Sequence, residues 1–448
     1  MISPTKIRWD FFSILYLSIA GIIGFVLTYL IMPYIIKYMK KKGYVGTDIH
    51  KNTRPEVAES GGLGMIIGFI FPSIFLAIIF TDYRNIILIV LITVFIAGII
   101  GFLDDRVRLR TRYKLLLTLL IGSAVFLANY LGFIAIQNPV LPILSRLRLN
   151  MIYPILIPLV VIVFANTVNM LEGYNGEGSG TCIIAIGFLL VCSIIWNTME
   201  GLILSVISLS VIIPFYLFNR YPAKIFPGDV GTLSMGVMIA SIALFGGLLA
   251  AAFCTLLTHI SNSFYYISSV RGFFESKEIH ELRDDIILLK DDRIRASKQK
   301  NALITMPRMI LAKGPLSESQ LVEKFYLISI ISGFLGILTT ILMCLTLEAI
   351  EILWVIVFSL PCLVIIGLLM YFFPRIRDIA IQMLILYFIG IILLYLIDII
   401  IVPIEITIDL YFIRIPLNIV LSVIAVLPGL GVWYILTIIY LNKQLELE

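Results

Sequence analysis

Apolar residues do not alternate along this chain; they run. Stretches of 18 or more apolar residues recur between short polar segments, and each is about long enough to cross the roughly 30 Å of hydrocarbon in a bilayer. The runs place spans at residues 11–36, 61–81, 86–103, 115–136, 152–171, 181–197, 200–218, 230–248, 251–270, 325–347, 352–373, 378–402 and 414–441, about thirteen in all. The expected fold class is an all-α polytopic membrane protein with a small loop subdomain. The first run, Phe11 to Ile36, is too long for a signal-peptide core and carries no small-residue cleavage site, so it reads as a retained helix. Residues 271–324 form the only sizeable polar stretch, too short for a core of its own. Within it Ile286 to Ile294 alternates loosely around Asp291 and Asp292, as a short hairpin does. The three spans within 348–448 carry almost no polar clusters and read as scaffold.

Charge gives the runs a direction. Lys37, Lys40, Lys41, Lys42, Lys51 and Arg54 follow the first span; Arg106, Arg108, Arg110, Arg112 and Lys114 follow the third; Arg220 and Lys224 follow the seventh, and Arg375 and Arg377 the eleventh. The positive-inside rule puts these loops in the cytoplasm, with the N-terminus outside and the C-terminus inside. Lys6, Arg8, Arg146 and Arg148 on the other side are a minority. Composition agrees: 60% of the 448 residues are hydrophobic and 14% charged, against roughly 25% charged in a soluble domain. The net charge of +5 forms no basic tail or aromatic-laced patch, so nucleic acid is not an expected partner. Cys182, Cys192, Cys254, Cys344 and Cys362 lie inside apolar runs without CxxC spacing and read as small hydrophobes. His50, His259 and His280 are too scattered for a zinc site.

Four polar blocks interrupt the apolar pattern. Asp104 and Asp105 close the third span, with Lys114 beyond them. Carboxylates at a helix end in a membrane need water or a cation. They are either solvated interface residues balanced by arginines, or a metal or general-base pair with Lys114 reaching a phosphate. Asn166, Asn169 and Glu172 recur every three residues at the end of the fifth span, near one helical face. Oxygen ligands of this kind suit Mg2+; asparagines also join membrane helices. Gly173, Asn175, Gly176 and Gly178 follow, in a stretch whose backbone is open to a ligand. Phe226-Pro-Gly-Asp229 precedes the eighth span, where Asp229 either caps the helix or supplies a second hard ligand and Phe226 offers a stacking surface. The fourth block is the polar loop Lys51 to Gly62, on the same face. Arg271, Arg293, Arg295 and Arg308 in the late loop form either a solvated face or a clamp for a diphosphate.

In order, these blocks resemble the polyprenyl-phosphate N-acetylhexosamine-1-phosphate transferases, nearest to the dolichyl-phosphate GlcNAc-1-phosphate transferases of eukaryotes and archaea. The likeness covers about residues 10–347. It implies a membrane transferase domain over 1–347, with 271–324 as its cytoplasmic substrate loop, and extra helices over 348–448. It implies transfer of GlcNAc-1-phosphate from UDP-GlcNAc to dolichyl or another polyprenyl phosphate, with Mg2+, or alternatively Mn2+, as cofactor. By motif position Asn169 and Asp229 are implied metal ligands, Lys114 a phosphate contact, Asp104 and Asp105 the catalytic acidic pair, and Phe226, Asn175, Gly173 and Glu59 the uridine site. Arg271, Arg293, Arg295 and Arg308 are implied phosphate or sugar contacts, while Glu172, Asn166 and His280 stay unassigned. Glu172 stands where bacterial relatives carry aspartate, and neither a late histidine cluster nor an Arg-His-Arg run is present. The implied location is an integral membrane protein with its active site facing the cytoplasm, in the plasma membrane of a prokaryote or the ER membrane of a eukaryote; a homodimer stays open. The rival readings are transfer of another UDP-linked amino sugar, a secondary transporter, and a noncatalytic scaffold. A transporter would carry ionisable residues at mid-span, whereas Asp104 and Asp229 fall at span ends.

Overall fold

The computed structural model describes residues 6–107, 109–143, 145–146, 153–270, 284–401, 407–410 and 413–445, and 75% of these described residues are helical. Helix α1 (Phe11–Lys41) leads through a two-stranded hairpin, β1 (Val45–Thr47) and β2 (Glu56–Ala58), into α2 (Gly62–Ile79), α3 (Arg84–Val107) and α4 (Thr111–Tyr130). A second hairpin, β3 (Val140–Leu141) and β4 (Ser145–Arg146), precedes α5 (Tyr153–Leu171), α6 (Glu177–Ile195), α7 (Met199–Asn219) and α8 (Gly228–Phe245). Next come α9 (Leu249–Thr255), α10 (Leu257–Val270), the hairpin β5 (Ile286–Leu288) and β6 (Ile294–Ala296), and α11 (Met306–Leu311). The chain ends with α12 (Glu318–Thr346), α13 (Ile352–Phe372), α14 (Pro374–Ile401), the hairpin β7 (Thr407–Leu410) and β8 (Ile413–Pro416), and α15 (Leu417–Leu445).

Among the described residues, 10 helices are long and apolar enough to cross a membrane, which makes this an integral membrane protein. Each expected span falls largely on helix, the last beginning in β8, but 10 rather than thirteen are counted among the described residues. The ninth run, 251–270, is broken at Leu256 into α9 and α10. At about 1.5 Å per residue the 7 residues of α9 and the 14 of α10 are each too short to cross alone. An apolar run reports that residues avoid water, not that a single helix carries them.

At the centre of the bundle stands α8, whose apolar window is 89% buried, whereas that of α13 is 17% buried and faces outward. The sequence of α8 explains its place. Gly231, Ser234, Gly236, Ala240, Ser241 and Ala243 leave little side chain in the way of neighbouring backbones. A Cβ added at Gly62 would collide with the backbone of Gly231, one at Gly101 with the backbone of Asp229, and one at Gly236 with that of Ala165. Helices α2, α3 and α5 therefore meet α8 backbone to backbone, and these contacts draw their polar ends together.

Hairpin β5–β6 forms as the alternation predicts, with Ile287 opposite Arg295. Arg308 holds the segment behind it: the buried guanidinium donates to the carbonyls of Ser297, Gln299, Ala302 and Leu303. The hairpin tip reaches the β1–β2 loop, where the Asn52 backbone N–H donates to Asp292 at 2.8 Å and its side chain to the Leu289 carbonyl at 3.0 Å. From the other side α14 and α15 grip the α11–α12 turn. Lys313 pairs with Asp378 at 2.6 Å, Arg375 donates to the Gly314 carbonyl at 2.8 Å, and Tyr440 donates to the Met309 carbonyl at 3.2 Å.

Candidate active site

The polar blocks meet at one end of the bundle. Lys114, in the first turn of α4, lies 2.8 Å from Asp104 of α3 and 2.8 Å from Asp229 of α8. Asp229 also accepts from the side-chain amide of Asn169, which donates to Thr232 at 2.7 Å. Asp229 is thus not the cap of α8: it sits inside the first turn, and no side-chain cap bond closes that helix. Its backbone N–H, unpaired within the helix as first-turn amides are, donates instead to Asp105 at 2.8 Å. The second Asp105 oxygen accepts from Ser60 at 2.7 Å. Asp104 likewise has both oxygens engaged, taking the Leu109 amide at 2.8 Å on one and Lys114 on the other.

Beside this cluster opens a cavity of about 500 Å3. One wall is Asp105, Asn169, Asp229 and Thr232; the second is Glu172 to Asn175; Phe226 to Gly228 and the loop residues Thr47 to His50 complete it. Gly176, at φ 80°, turns the chain from the second wall into α6, a left-handed conformation that glycine takes without strain. Glu172 presents one buried oxygen that has no hydrogen-bond partner among the described residues, and burial pushes its carboxyl up to about 8, against a backbone bond from Gly178. The His50 ring stacks on Tyr174 with centroids 4.3 Å apart. Burial holds that imidazole down at about 4, against the opposing pull of Asp48. Burial acts against the Asp48 carboxylate too, but the bonds from Lys51 and Asn175 outweigh it and leave it below its ordinary value.

The donors around Asp229 are carboxylates, an amide and a hydroxyl. Such hard oxygen ligands fit a small divalent cation, with the Asn169 amide turned so that its oxygen faces the ion. Lys114 supplies the positive charge in this arrangement.

Of the residues expected from sequence, Asp105, Asn169, Glu172, Gly173, Asn175, Phe226 and Asp229 line the cavity, and Asp104 and Lys114 adjoin it through Asp229. Others stand elsewhere. Asn166, one turn before Asn169, donates to Thr118 at 3.2 Å and to the Ile162 carbonyl at 2.9 Å, joining α5 to α4. Glu59 lies against Gly46 in the first hairpin. Arg308 spends its guanidinium on backbone carbonyls, Arg293 pairs with Asp291 at 2.6 Å on the exposed hairpin, and Arg295 is exposed beside it. Arg271 and His280 lie outside the described residues. The structure adds Asp48, His50, Tyr174 and Thr232. Thr232 was detectable as the residue one turn after Asp229, and Asp48 and His50 as neighbours of Lys51.

Comparison with known proteins identifies the family. Residues 87–247, which contain Asp104 through Asp229, match the family described as glycosyl transferase family 4. A Sulfolobus acidocaldarius protein, provisionally named UDP-N-acetylglucosamine–dolichyl-phosphate N-acetylglucosaminephosphotransferase, is 31% identical over 258 residues, 55% of this chain and 76% of that one. A provisionally named glycosyltransferase of Methanocaldococcus jannaschii is 29% identical over 328 residues, 73% of this chain and 96% of that one. The phospho-N-acetylmuramoyl-pentapeptide-transferase of Streptococcus uberis is 31% identical over 244 residues, 50% of this chain and 72% of that one. The chain belongs to glycosyl transferase family 4, the polyprenyl-phosphate hexosamine-1-phosphate transferases that its four polar blocks resemble.

Proposed function

We propose that this protein transfers GlcNAc-1-phosphate from UDP-GlcNAc to dolichyl or another polyprenyl phosphate, releasing UMP, in the first step of lipid-linked oligosaccharide synthesis for N-glycosylation. The observation that carries the reading is Lys114 held between Asp104 and Asp229 beside the cavity, at the end of a membrane bundle. The relative from Sulfolobus acidocaldarius bears the name of the same reaction.

In this reading the lipid arrives laterally through the bilayer and the nucleotide sugar from the cytoplasm. A phosphate oxygen of the lipid attacks the β-phosphorus of UDP-GlcNAc, and the bond to the UMP oxygen breaks. Phosphoryl transfer needs an in-line nucleophile and neutralised charge rather than a covalent partner. Lys114 supplies a fixed ammonium for the diphosphate. Asn169 and Asp229 would hold Mg2+, or Mn2+ in its place, and the ion when bound would offset further diphosphate charge. Phe226, Gly173 and Asn175 form the uridine side of the cavity.

Asp104 acts here as an orienter of Lys114, taking the Leu109 amide on one oxygen and the Lys114 ammonium on the other. Asp105 fixes the start of α8 by the same reasoning. A phosphate monoester loses its second proton near pH 6, so no strong base is required. Residues 1–347 make up the transferase, and 348–448 brace its loop through Arg375, Asp378 and Tyr440.

Purified protein given Mg2+, dolichyl phosphate and a panel of UDP-amino sugars is expected to release UMP with UDP-GlcNAc preferred. Asp229→Ala is expected to lose nearly all of it. Absence of UMP from every donor would reject the reading.

A further inference from the structure

We propose that Glu318 is a positioning residue of the nucleotide pocket, a carboxylate that holds Asn175 by its backbone and, through Lys51 and Asp48, by its side chain; this rests on the nucleotide-sugar reading above. Asn175 lines the cavity yet is only 3% exposed, so its orientation is decided by what stands behind it. Its backbone N–H donates to Glu318 at 2.8 Å, across 143 residues of sequence. Its side-chain amide donates to Asp48 at 3.0 Å. Lys51 closes the circuit, bonding Asp48 and standing 3.9 Å from the second Glu318 oxygen.

The circuit is built to stay in place. Glu318 opens α12, where a carboxylate is favoured by the helix dipole. Ser317 and Gln320 cap that helix reciprocally, which fixes the turn carrying Glu318. Ligand atoms of Asp48, His50 and Glu318 lie within 4.8 Å of one another, a spacing a cation accepts. Lys51 brings its ammonium to two of these groups, so the chain carries its own cation there.

Only part of this arrangement needs a charge. A backbone N–H is served equally by a glutamine carbonyl, whereas Lys51 is balanced only by carboxylates. Removing Glu318 frees the Asn175 peptide and shifts Lys51 wholly onto Asp48, the acceptor of the Asn175 amide. Binding of the nucleotide then weakens, while Lys114 and Asp229, which Glu318 does not touch, keep their geometry.

The test is UDP affinity by calorimetry together with steady-state UMP release, on the full chain and on Glu318→Ala, Glu318→Asp and Glu318→Gln. Losing a buried hydrogen bond to a charged group is expected to raise the Kd for UDP and the KM for UDP-GlcNAc about tenfold in the Ala and Asp variants, with kcat and the lipid KM within about threefold. The Gln variant keeps the close peptide contact and loses only the longer Lys51 pairing, so it is expected to return both most of the way, to within about threefold of the parent. Aspartate keeps the charge but falls short of Asn175, so it tests the contact even where alanine prevents folding. Unchanged Kd and KM, a fall in kcat matching the rise in KM, or a glutamine as damaging as the alanine would overturn the proposal while parent activity stands. A parent that binds UDP without releasing UMP from any donor would instead remove the transferase reading and leave Glu318 to be judged on Kd alone.

Discussion

Gly101→Ala tests whether helix packing, rather than the charged residues alone, sets the site. Gly101 does not line the cavity described above and bears no chemistry, but its missing Cβ lets α3 lie against the backbone of Asp229. An added Cβ would come closer than 3.0 Å to the Asp229 carbonyl group and the Val230 nitrogen, where ordinary contact begins at 3.4 Å. Backbone cannot swing aside as a side chain does, so α3 and α8 must part by several tenths of an ångström or more. Overpacking of this kind costs about 1–3 kcal/mol, against about 1 kcal/mol gained in helix propensity from glycine to alanine. Two links join the helices across the gap: Asp104 and Asp229 share Lys114, and Asp105 receives the Asp229 amide at 2.8 Å. Misplacement approaching 1 Å at a reacting centre lowers turnover by about 100-fold. UMP release and thermal unfolding of Gly101→Ala should therefore fall together. Gly187→Ala, whose Cβ would meet nothing within 4 Å, is the control and should leave both unchanged or unfolding slightly raised. A Gly101→Ala protein with the parent's unfolding temperature and kcat/KM within about threefold of it would refute the packing account.

Two further perturbations probe the charges. Lys114→Met leaves Asp104 and Asp229 facing one another without their cation, which should cost about 3–5 kcal/mol of stability and at least 100-fold in UMP release. Lys114→Arg should not restore activity, because a planar fork does not replace a compact ammonium between two carboxylates; recovery to parental turnover in the arginine variant would contradict the geometry. For His50, the folded imidazole titrates at about 4 and the free one at 6.5, so on acidification the unfolded chain takes up its proton first. Stability is complete above pH 6.5 and falls as the pH drops toward 4, by about 3 kcal/mol at most. Thermal unfolding between pH 7 and 4 should be less pH-dependent in His50→Phe, which keeps the stack on Tyr174 without titrating; identical pH dependence in both would count against a buried neutral histidine.

Hydrophobic runs made the membrane class legible because the hydrocarbon rewards apolarity residue by residue, with no need to know neighbours. The hairpin around Asp291 and Asp292 was legible for a similar reason, since alternation and turn residues are local. The three-residue spacing of Asn166, Asn169 and Glu172 indicated one helical face, and in the structure the last two line one cavity. It could not show that Asn166, a turn deeper, is spent on Thr118 and the Ile162 carbonyl. The break at Leu256 was invisible because both halves of that run are equally apolar.

What the sequence determined by itself is therefore the set of local regularities: membrane class, most spans, the four polar blocks and the family they resemble. Tertiary structure alone decided which members of those blocks face one another. An aspartate before an apolar run looks the same whether it caps a helix or ion-pairs, and only Lys114 at 2.8 Å distinguishes Asp229. Arg308 looked available for phosphate until the loop folded its guanidinium onto backbone carbonyls. Glu318 and Asn175 lie 143 residues apart and share no pattern. Their contact exists because α12 packs beside α6, and long-range electrostatic partners are set by where helices pack rather than by anything written locally at either residue.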